Sequence, residues 1–141
     1  MLRINELKKK YANSTANAVN GLSLEVKPGE VFGFLGPNGA GKSTTIKSIV
    51  GILPFESGSI EICGVDLAKN PLGAKHNVGY VPDNHAVFER LTGREYVNHM
   101  ANFFNVPVEL MKERSEYYVK LFKLEAAFDN PIKSYSHGMK Q

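Results

Sequence analysis

The sequence predicts a mixed α/β fold, and three observations support that prediction. Short apolar segments in the first half have the pattern of strands, since Leu22–Val26 alternates apolar and polar residues and Val31–Leu35 is apolar throughout. A glycine-rich loop at residues 36–41 then leads into a helical pattern at Lys42–Val50, which ends at Gly51. In the second half the apolar residues keep the three- and four-residue spacing of helices.

The strands follow from local patterns in the first half. Turn and glycine signals separate the short apolar segments, as expected of strands joined by tight connections. The predicted strands are Ile4–Leu7, Leu22–Val26, Val31–Leu35, Ile60–Ile62 and Val78–Val81. Val31–Leu35 has no polar position and therefore predicts a strand covered on both faces. The run Lys8–Lys10 predicts a solvated edge, because short charge runs normally face water.

The second half begins with a helix start signal. Thr92 followed by Glu95 fits a capping box, in which each side chain satisfies a backbone N–H of the other residue. Pro107 predicts the first turn of the next helix, where a missing N–H does no harm. We therefore expect a strand-rich part at residues 1–91 and a helical part at residues 92–141.

Length and composition limit the class of protein. The chain has 141 residues, 43% hydrophobic and 22% charged, which is typical of one globular domain. Its net charge of +3 is too small to favour a nucleic-acid partner. The single cysteine, Cys63, cannot form an internal disulfide, and no apolar stretch approaches the roughly 20 residues of a membrane helix. These values predict a soluble cytoplasmic protein.

One motif points directly to chemistry. Residues 36–43 match the phosphate-loop pattern G-x-x-x-x-G-K-[ST] completely, and this composition would produce such a match by chance about 0.01 times. The match follows an apolar segment and opens a helical pattern, which is the setting that phosphate loops require. The residues concerned are Gly36, Pro37, Asn38, Gly39, Ala40, Gly41, Lys42 and Ser43, followed by Thr44.

The residue types in this loop suit a phosphate ligand. Glycines allow a curled backbone whose N–H groups point inward at phosphate oxygens. The helix that follows adds its positive dipole end at the same point. Lys42 supplies a mobile cation for the terminal phosphates, and Ser43 supplies a hard oxygen suited to Mg²⁺. The loop predicts a nucleotide site, and the sequence lacks the Asn-Lys-x-Asp element of guanine-specific proteins.

Three segments in a fixed order extend this pattern. Residues 36–45 read GPNGAGKSTT, residues 78–83 read VGYVPD and residues 135–141 read YSHGMKQ. Together they resemble the ATP-binding subunit of ABC transporters, and they look most like single-domain exporter subunits that pair with a separate permease. The resemblance implies a P-loop ATPase fold with antiparallel strands at its N-terminus. Residues 1–91 would bind the nucleotide, and residues 92–141 would form a helical subdomain ending in the signature motif. ATP and Mg²⁺ are the implied cofactors.

The resemblance also implies roles for single residues. Tyr11 stands where the family has an aromatic residue that stacks on adenine, and the alternative is a partly exposed tyrosine at a strand end. Asp83 stands where the family has a glutamine that reaches Mg²⁺. Ser43 and Asp83 are therefore the implied metal ligands, and the alternative for Asp83 is a plain turn aspartate after Pro82.

The segment at residues 135–139 corresponds to the family signature. Ser136 and Gly138 match the family pattern, whereas His137 replaces a glycine. In the family these positions contact ATP held by the opposite subunit, so the resemblance implies a head-to-tail dimer with a second ATP-binding subunit. It also implies a membrane permease as partner, no nucleic acid, and a cytoplasmic location at the inner face of the membrane.

The residues that the family needs for turnover are expected after Gln141. They are the Walker B strand with its aspartate, the catalytic glutamate and the switch histidine. The 141 residues by themselves are expected not to hydrolyse ATP, because phosphoryl transfer needs an oriented nucleophile. The alternative is a truncated, non-hydrolysing nucleotide-binding or regulatory module. Because these 141 residues also lack central strands of the family's parallel sheet, we expect Val31–Leu35 to be poorly covered.

Overall fold

The chain forms two compact units, Met1–Tyr80 and Val81–Gln141, in the computed structural model, which describes residues 1–82 and 87–141. The first unit contains the sheet and the phosphate loop. The second unit is helical among its described residues. The predicted division at residue 91 concerns functional parts and stays a prediction.

A four-stranded antiparallel sheet forms the frame of the first unit. Its strands are β1 (Leu2–Lys10), β2 (Asn17–Val26), β3 (Ser57–Ile62) and β4 (Val65–Asp66), in the order β2-β1-β3-β4. Since β1 lies between β2 and β3, Ile4 pairs with Leu24 on one side and with Ile60 on the other. The strands predicted at residues 4–7, 22–26 and 60–62 are confirmed, each inside a longer strand.

The core of this unit consists of aliphatic side chains from the sheet together with two from the segment that follows it. Ile4, Leu7 and Ile60 are buried, and the same cluster includes Val19, Ile62, Leu67 and Ala74. Ile4 and Leu7 are three positions apart, an odd spacing for one face of a strand. A register shift in the pairing between them returns Leu7 to the buried face. Each fully buried side chain of this size contributes roughly 1.5–3 kcal/mol to stability.

Two helices complete the first unit, namely α1 (Lys42–Ile49) and α2 (Pro71–Lys75). The helix predicted after the glycine-rich loop is therefore confirmed. α1 ends at Ile49, one residue before the predicted end at Val50, and Gly51 then takes a left-handed φ of 69° and donates its N–H to the Ser48 carbonyl at 3.1 Å. Asn70 caps α2 by accepting a hydrogen bond from the Gly73 N–H at 2.9 Å.

Two of the predicted strands are wrong. Val31–Leu35 and residues 78–81 have no regular secondary structure. Val31 is 100% and Leu35 is 91% exposed, which agrees with the poor cover expected for that segment. A strand forms only where a neighbouring strand exchanges backbone hydrogen bonds with it, and no described strand pairs with either segment.

The second unit contains α3 (Gly93–Phe103), α4 (Val108–Leu121), a short 3₁₀ turn (Ile132–Ser134) and α5 (His137–Lys140). The predicted capping box is confirmed. Thr92 Oγ1 accepts from the Glu95 N–H at 3.2 Å, and Glu95 Oε2 accepts from the Thr92 N–H at 2.8 Å. Pro107 lies just before its predicted position, as the N-cap of α4.

Phe128 and Ile132 form the buried centre of the second unit. Gly93 begins α3 against this centre, and a Cβ atom there would lie 2.9 Å from the Phe128 ring. The close approach explains why a glycine opens the helix. Among the helices described over residues 1–82 and 87–141, none is long and apolar enough to cross a membrane.

Candidate nucleotide-binding site

The phosphate loop connects the irregular segment after β2 to the first turn of α1. Gly41 is the N-cap of α1 with a φ of 86°, a left-handed conformation that suits glycine. The position is also crowded, because a Cβ atom there would lie closer than 3.0 Å to the Ala18 carbonyl oxygen in β2. Gly39 has a φ of 82°, but an added Cβ would meet nothing within 4 Å. Glycine is therefore needed at 41 for conformation and space, and at 39 for conformation.

The ammonium group of Lys42 lies over the start of this loop. Its Nζ donates to the carbonyl oxygens of Gly36 and Pro37, at 2.6 and 2.7 Å. A phosphate oxygen would offer the ammonium an anionic acceptor in place of these neutral carbonyl oxygens. The side chain is thus held at the loop, and its contact with the terminal phosphates stays a prediction.

Hydroxyl residues follow Lys42 along the first turn of α1. Ser43 is exposed, Thr44 is half-buried and Thr45 is buried. The Thr45 hydroxyl donates to the Gly41 carbonyl at 3.0 Å, which ties the helix to the loop. Thr45 was not among the predicted site residues. The sequence signal for it is a threonine four positions after the cap glycine, because a threonine hydroxyl in a helix can donate to the carbonyl one turn earlier.

Tyr11 lies beside the phosphate loop, although it is far from it in sequence. The residue follows the end of β1, and its hydroxyl lies 3.1 Å from Thr44 Oγ1. The side chain is 43% exposed, so part of the ring surface is open to a flat ligand. The structure therefore brings Tyr11 to the loop, as the resemblance implied, while stacking on adenine stays a prediction.

The solvated edge predicted at Lys8–Lys10 is wrong for Lys9. This residue is 8% exposed, and its Nζ donates to Glu56 Oε1 at 2.9 Å. Glu56 Oε2 accepts a hydrogen bond from the Lys10 N–H at 2.8 Å. The hydrogen bonds from Lys9 and Lys10 hold the pKa of Glu56 below its ordinary value. Side chains alternate along a strand, so Lys9 shares the face of buried Leu7, and this alternation was the missed signal.

The predicted metal ligands are Ser43 and Asp83. Ser43 presents an exposed hydroxyl in the first turn of α1, whereas Asp83 lies outside the described residues. In the described part of the chain, no group of three or more His, Cys, Asp or Glu side chains could hold a metal ion. One hydroxyl fits Mg²⁺ when nucleotide phosphates supply further oxygens, as is usual for this ion. The donor set of the loop is therefore compatible with a nucleotide-bound Mg²⁺.

The signature segment opens α5 in the second unit. Ser136 is the N-cap, and its hydroxyl accepts a hydrogen bond from the Met139 N–H at 3.3 Å. Ser136, His137 and Gly138 are exposed. Tyr135 anchors the segment, because its hydroxyl donates to the Ala127 carbonyl at 2.8 Å. Burial of this side chain raises the pKa of Tyr135.

An ion pair holds the far end of this segment. Lys140 Nζ lies 2.6 Å from Glu89 Oε1. The hydrogen bond from Lys140 lowers the pKa of the Glu89 carboxyl. The signature residues are therefore presented to solvent on a turn that is fixed at both ends.

A glycine-rich loop that bears a lysine and opens a helix defines a P-loop nucleotide-binding protein by its local geometry. The comparison with protein families gives the narrower class. The model of the family described as ABC transporter matches residues 19–141. The chain belongs to this family, and the resemblance stated from the sequence is confirmed.

Individual relatives agree with this assignment. The chain is 36% identical over its full length to the linearmycin resistance ATP-binding protein LnrL of Bacillus subtilis (strain 168), of which it covers 45%. It is 31% identical over its full length to the Nod factor export ATP-binding protein I of Ralstonia nicotianae, of which it covers 43%. The chain thus spans a little under half the length of these relatives.

A solved structure confirms the predicted fold class. The ATP-binding subunit of an ABC transporter superposes with a TM-score of 0.88 at 30% identity. The match covers 99% of this chain and 57% of that structure's chain. The mixed α/β fold with an antiparallel sheet and a phosphate loop is therefore the fold of the matched part of an ABC ATPase subunit.

Proposed function

We propose that this chain binds Mg-ATP at the Gly36–Ser43 loop and that the protein carrying it hydrolyses ATP to power transport through a partner permease. One observation carries the proposal. The complete phosphate loop opens α1, with the Lys42 ammonium held over it at 2.6 and 2.7 Å from the Gly36 and Pro37 carbonyls. An ordinary turn between a loop and a helix needs neither this lysine nor Ser43.

The loop would bind the phosphates through its backbone and one cation. Backbone N–H groups at the start of α1 have no carbonyl one turn earlier, so they can donate to phosphate oxygens. Lys42 would exchange its loop carbonyls for the β- and γ-phosphates. Bound Mg²⁺ would neutralise charge on the phosphates, with the Ser43 hydroxyl as a ligand and Asp83 as a second proposed ligand.

The adenine base would stack on Tyr11. Its hydroxyl lies 3.1 Å from Thr44 Oγ1 in the first turn of α1, so the ring lies beside the loop that we propose binds the phosphates. The exposed part of the ring supplies the flat surface that stacking needs.

The signature residues at the end of this chain would complete the ATP site of another subunit. Ser136, His137 and Gly138 are exposed on a fixed turn. Ser136 and Gly138 match the family signature, whereas His137 replaces its glycine. We place them against the γ-phosphate of ATP held by the opposite subunit in a head-to-tail dimer. The protein would sit at the cytoplasmic face of the membrane through its permease. The names of LnrL and of the Nod factor protein favour export as the direction of transport.

Calorimetric titration of the intact protein with Mg-ATP tests the nucleotide site. Lys42→Ala should weaken ATP binding by about 100-fold or more, because the terminal phosphates lose two charge-assisted contacts. Lys47→Ala is the matched control, since this exposed lysine lies in the last turn of the same helix. Unchanged affinity in the Lys42 variant, or equal losses in both variants, would rule out the loop as the phosphate site.

A further inference from the structure

Among the described residues, Lys9 is the charged side chain that is buried. Removing an ammonium from water costs free energy that can exceed the attraction within a buried ion pair. An aliphatic side chain of similar length would fill the same space without that cost. The charge at this position therefore calls for a reason beyond packing.

Glu56 fixes the position of the Lys9 ammonium. Its side chain accepts from Lys9 Nζ at 2.9 Å and from the Lys10 N–H at 2.8 Å. Its own N–H donates to the Lys8 carbonyl at 3.0 Å. Because both the backbone and the carboxylate of Glu56 are bonded to the last residues of β1, the ion pair is held at the end of that strand.

The ring of Tyr11 lies between this ion pair and the phosphate loop. Lys9 Nζ is 5.7 Å from the ring centroid, within the reach of a cation–π contact. At the opposite end, the Tyr11 hydroxyl is 3.1 Å from Thr44 Oγ1. The Lys9 cation therefore restricts the orientation of the ring face, and Thr44 restricts the position of the hydroxyl.

We propose that Lys9, held by Glu56, is a positioning residue that fixes the Tyr11 ring for the nucleotide base. This inference rests on the proposed function, since it concerns base binding at the same site. A ring that is already oriented loses less conformational entropy when the base stacks on it. Lys9 therefore contributes to affinity for the base and not to affinity for the phosphates.

Calorimetry with two ligands separates these contributions in the intact protein. Mg-ATP carries a base, and inorganic tripolyphosphate does not. Lys9→Met should weaken ATP binding about three- to fivefold, while tripolyphosphate binding changes less than about 1.5-fold. Lys10→Met is the matched control, because this exposed neighbour bonds Glu56 through its backbone and should leave both affinities unchanged.

Further variants separate positioning from stability. Lys9→Met leaves the Glu56 carboxylate without its cation, so Lys9→Met/Glu56→Gln removes both charges together. This double variant should regain thermal stability and still show the weakened ATP binding. Lys9→Arg should restore ATP affinity. In a Tyr11→Ala background, Lys9→Met should cause no further loss, since its effect acts through the ring.

The outcomes distinguish this inference from the proposed function. Equal losses of ATP and tripolyphosphate in Lys9→Met, or a full additional loss in the Tyr11→Ala background, would overturn the positioning role alone. If the unaltered protein bound neither ligand, the nucleotide site itself would be wrong. The inference would be established if Lys9→Met selectively weakened ATP binding and had no such effect in the Tyr11→Ala background.

Discussion

Replacing Gly41 by alanine should disrupt the phosphate loop without changing its charge. At a φ of 86° a side chain costs about 1–2 kcal/mol, because its Cβ crowds the following carbonyl. The Cβ would also lie closer than 3.0 Å to the Ala18 carbonyl oxygen, so β2 or α1 would have to move. Overpacking of this kind adds about 1–3 kcal/mol. The expected loss in the free energy of unfolding is therefore about 2–5 kcal/mol.

Gly39→Ala is the matched control for this prediction. Gly39 has a similar φ of 82°, but its added Cβ would meet nothing within 4 Å. Part of the strain is offset by a stiffer unfolded chain, so the expected loss is about 1 kcal/mol. Urea unfolding of both variants in the intact protein measures the difference. Equal losses in the two variants would show that the loop does not approach β2 as described, and the reasoning would fail.

Two further predictions concern the second unit. Thr92→Ala removes the hydroxyl of the capping box and should lower the free energy of unfolding by about 1 kcal/mol in urea titration; an unchanged midpoint would contradict this. The Arg94 hydrogen bond lowers the pKa of Asp129 below its ordinary 3.8. The ion pair therefore stabilises the fold at pH values above 3.8, and this stabilisation is lost as the pH falls through the lowered pKa of Asp129. The stability difference between wild type and Asp129→Asn should shrink on acidification, and a growing difference would contradict it.

The phosphate loop and the capping box could be predicted because their physical causes are local. The left-handed Gly41, the lysine held over the loop and the start of α1 all depend on residues at most six positions apart. The pair of Thr92 and Glu95 satisfies backbone groups only three residues apart. Patterns of this kind keep their meaning in any tertiary context.

The side chains around Tyr11 could not be assigned in this way. The approach of Tyr11 to Thr44 and of Lys9 to Glu56 joins residues that are 33 and 47 positions apart. A run of lysines has the same composition whether it lies on an open edge or on a buried face. The period of two along β1, together with Glu56 from a distant segment, made Lys9 a buried ion.

The apolar segment Val31–Leu35 gives the opposite case. Its composition indicates a covered strand, yet its backbone has no described partner strand and Val31 is fully exposed. Propensity concerns single residues, whereas a strand exists through hydrogen bonds to a neighbour that composition does not specify. The sequence alone therefore determined the phosphate loop, the capping box and the starts of the helices that follow them. Strand pairing, the burial of Lys9 and the surroundings of Tyr11 were decided by contacts between distant parts of the chain.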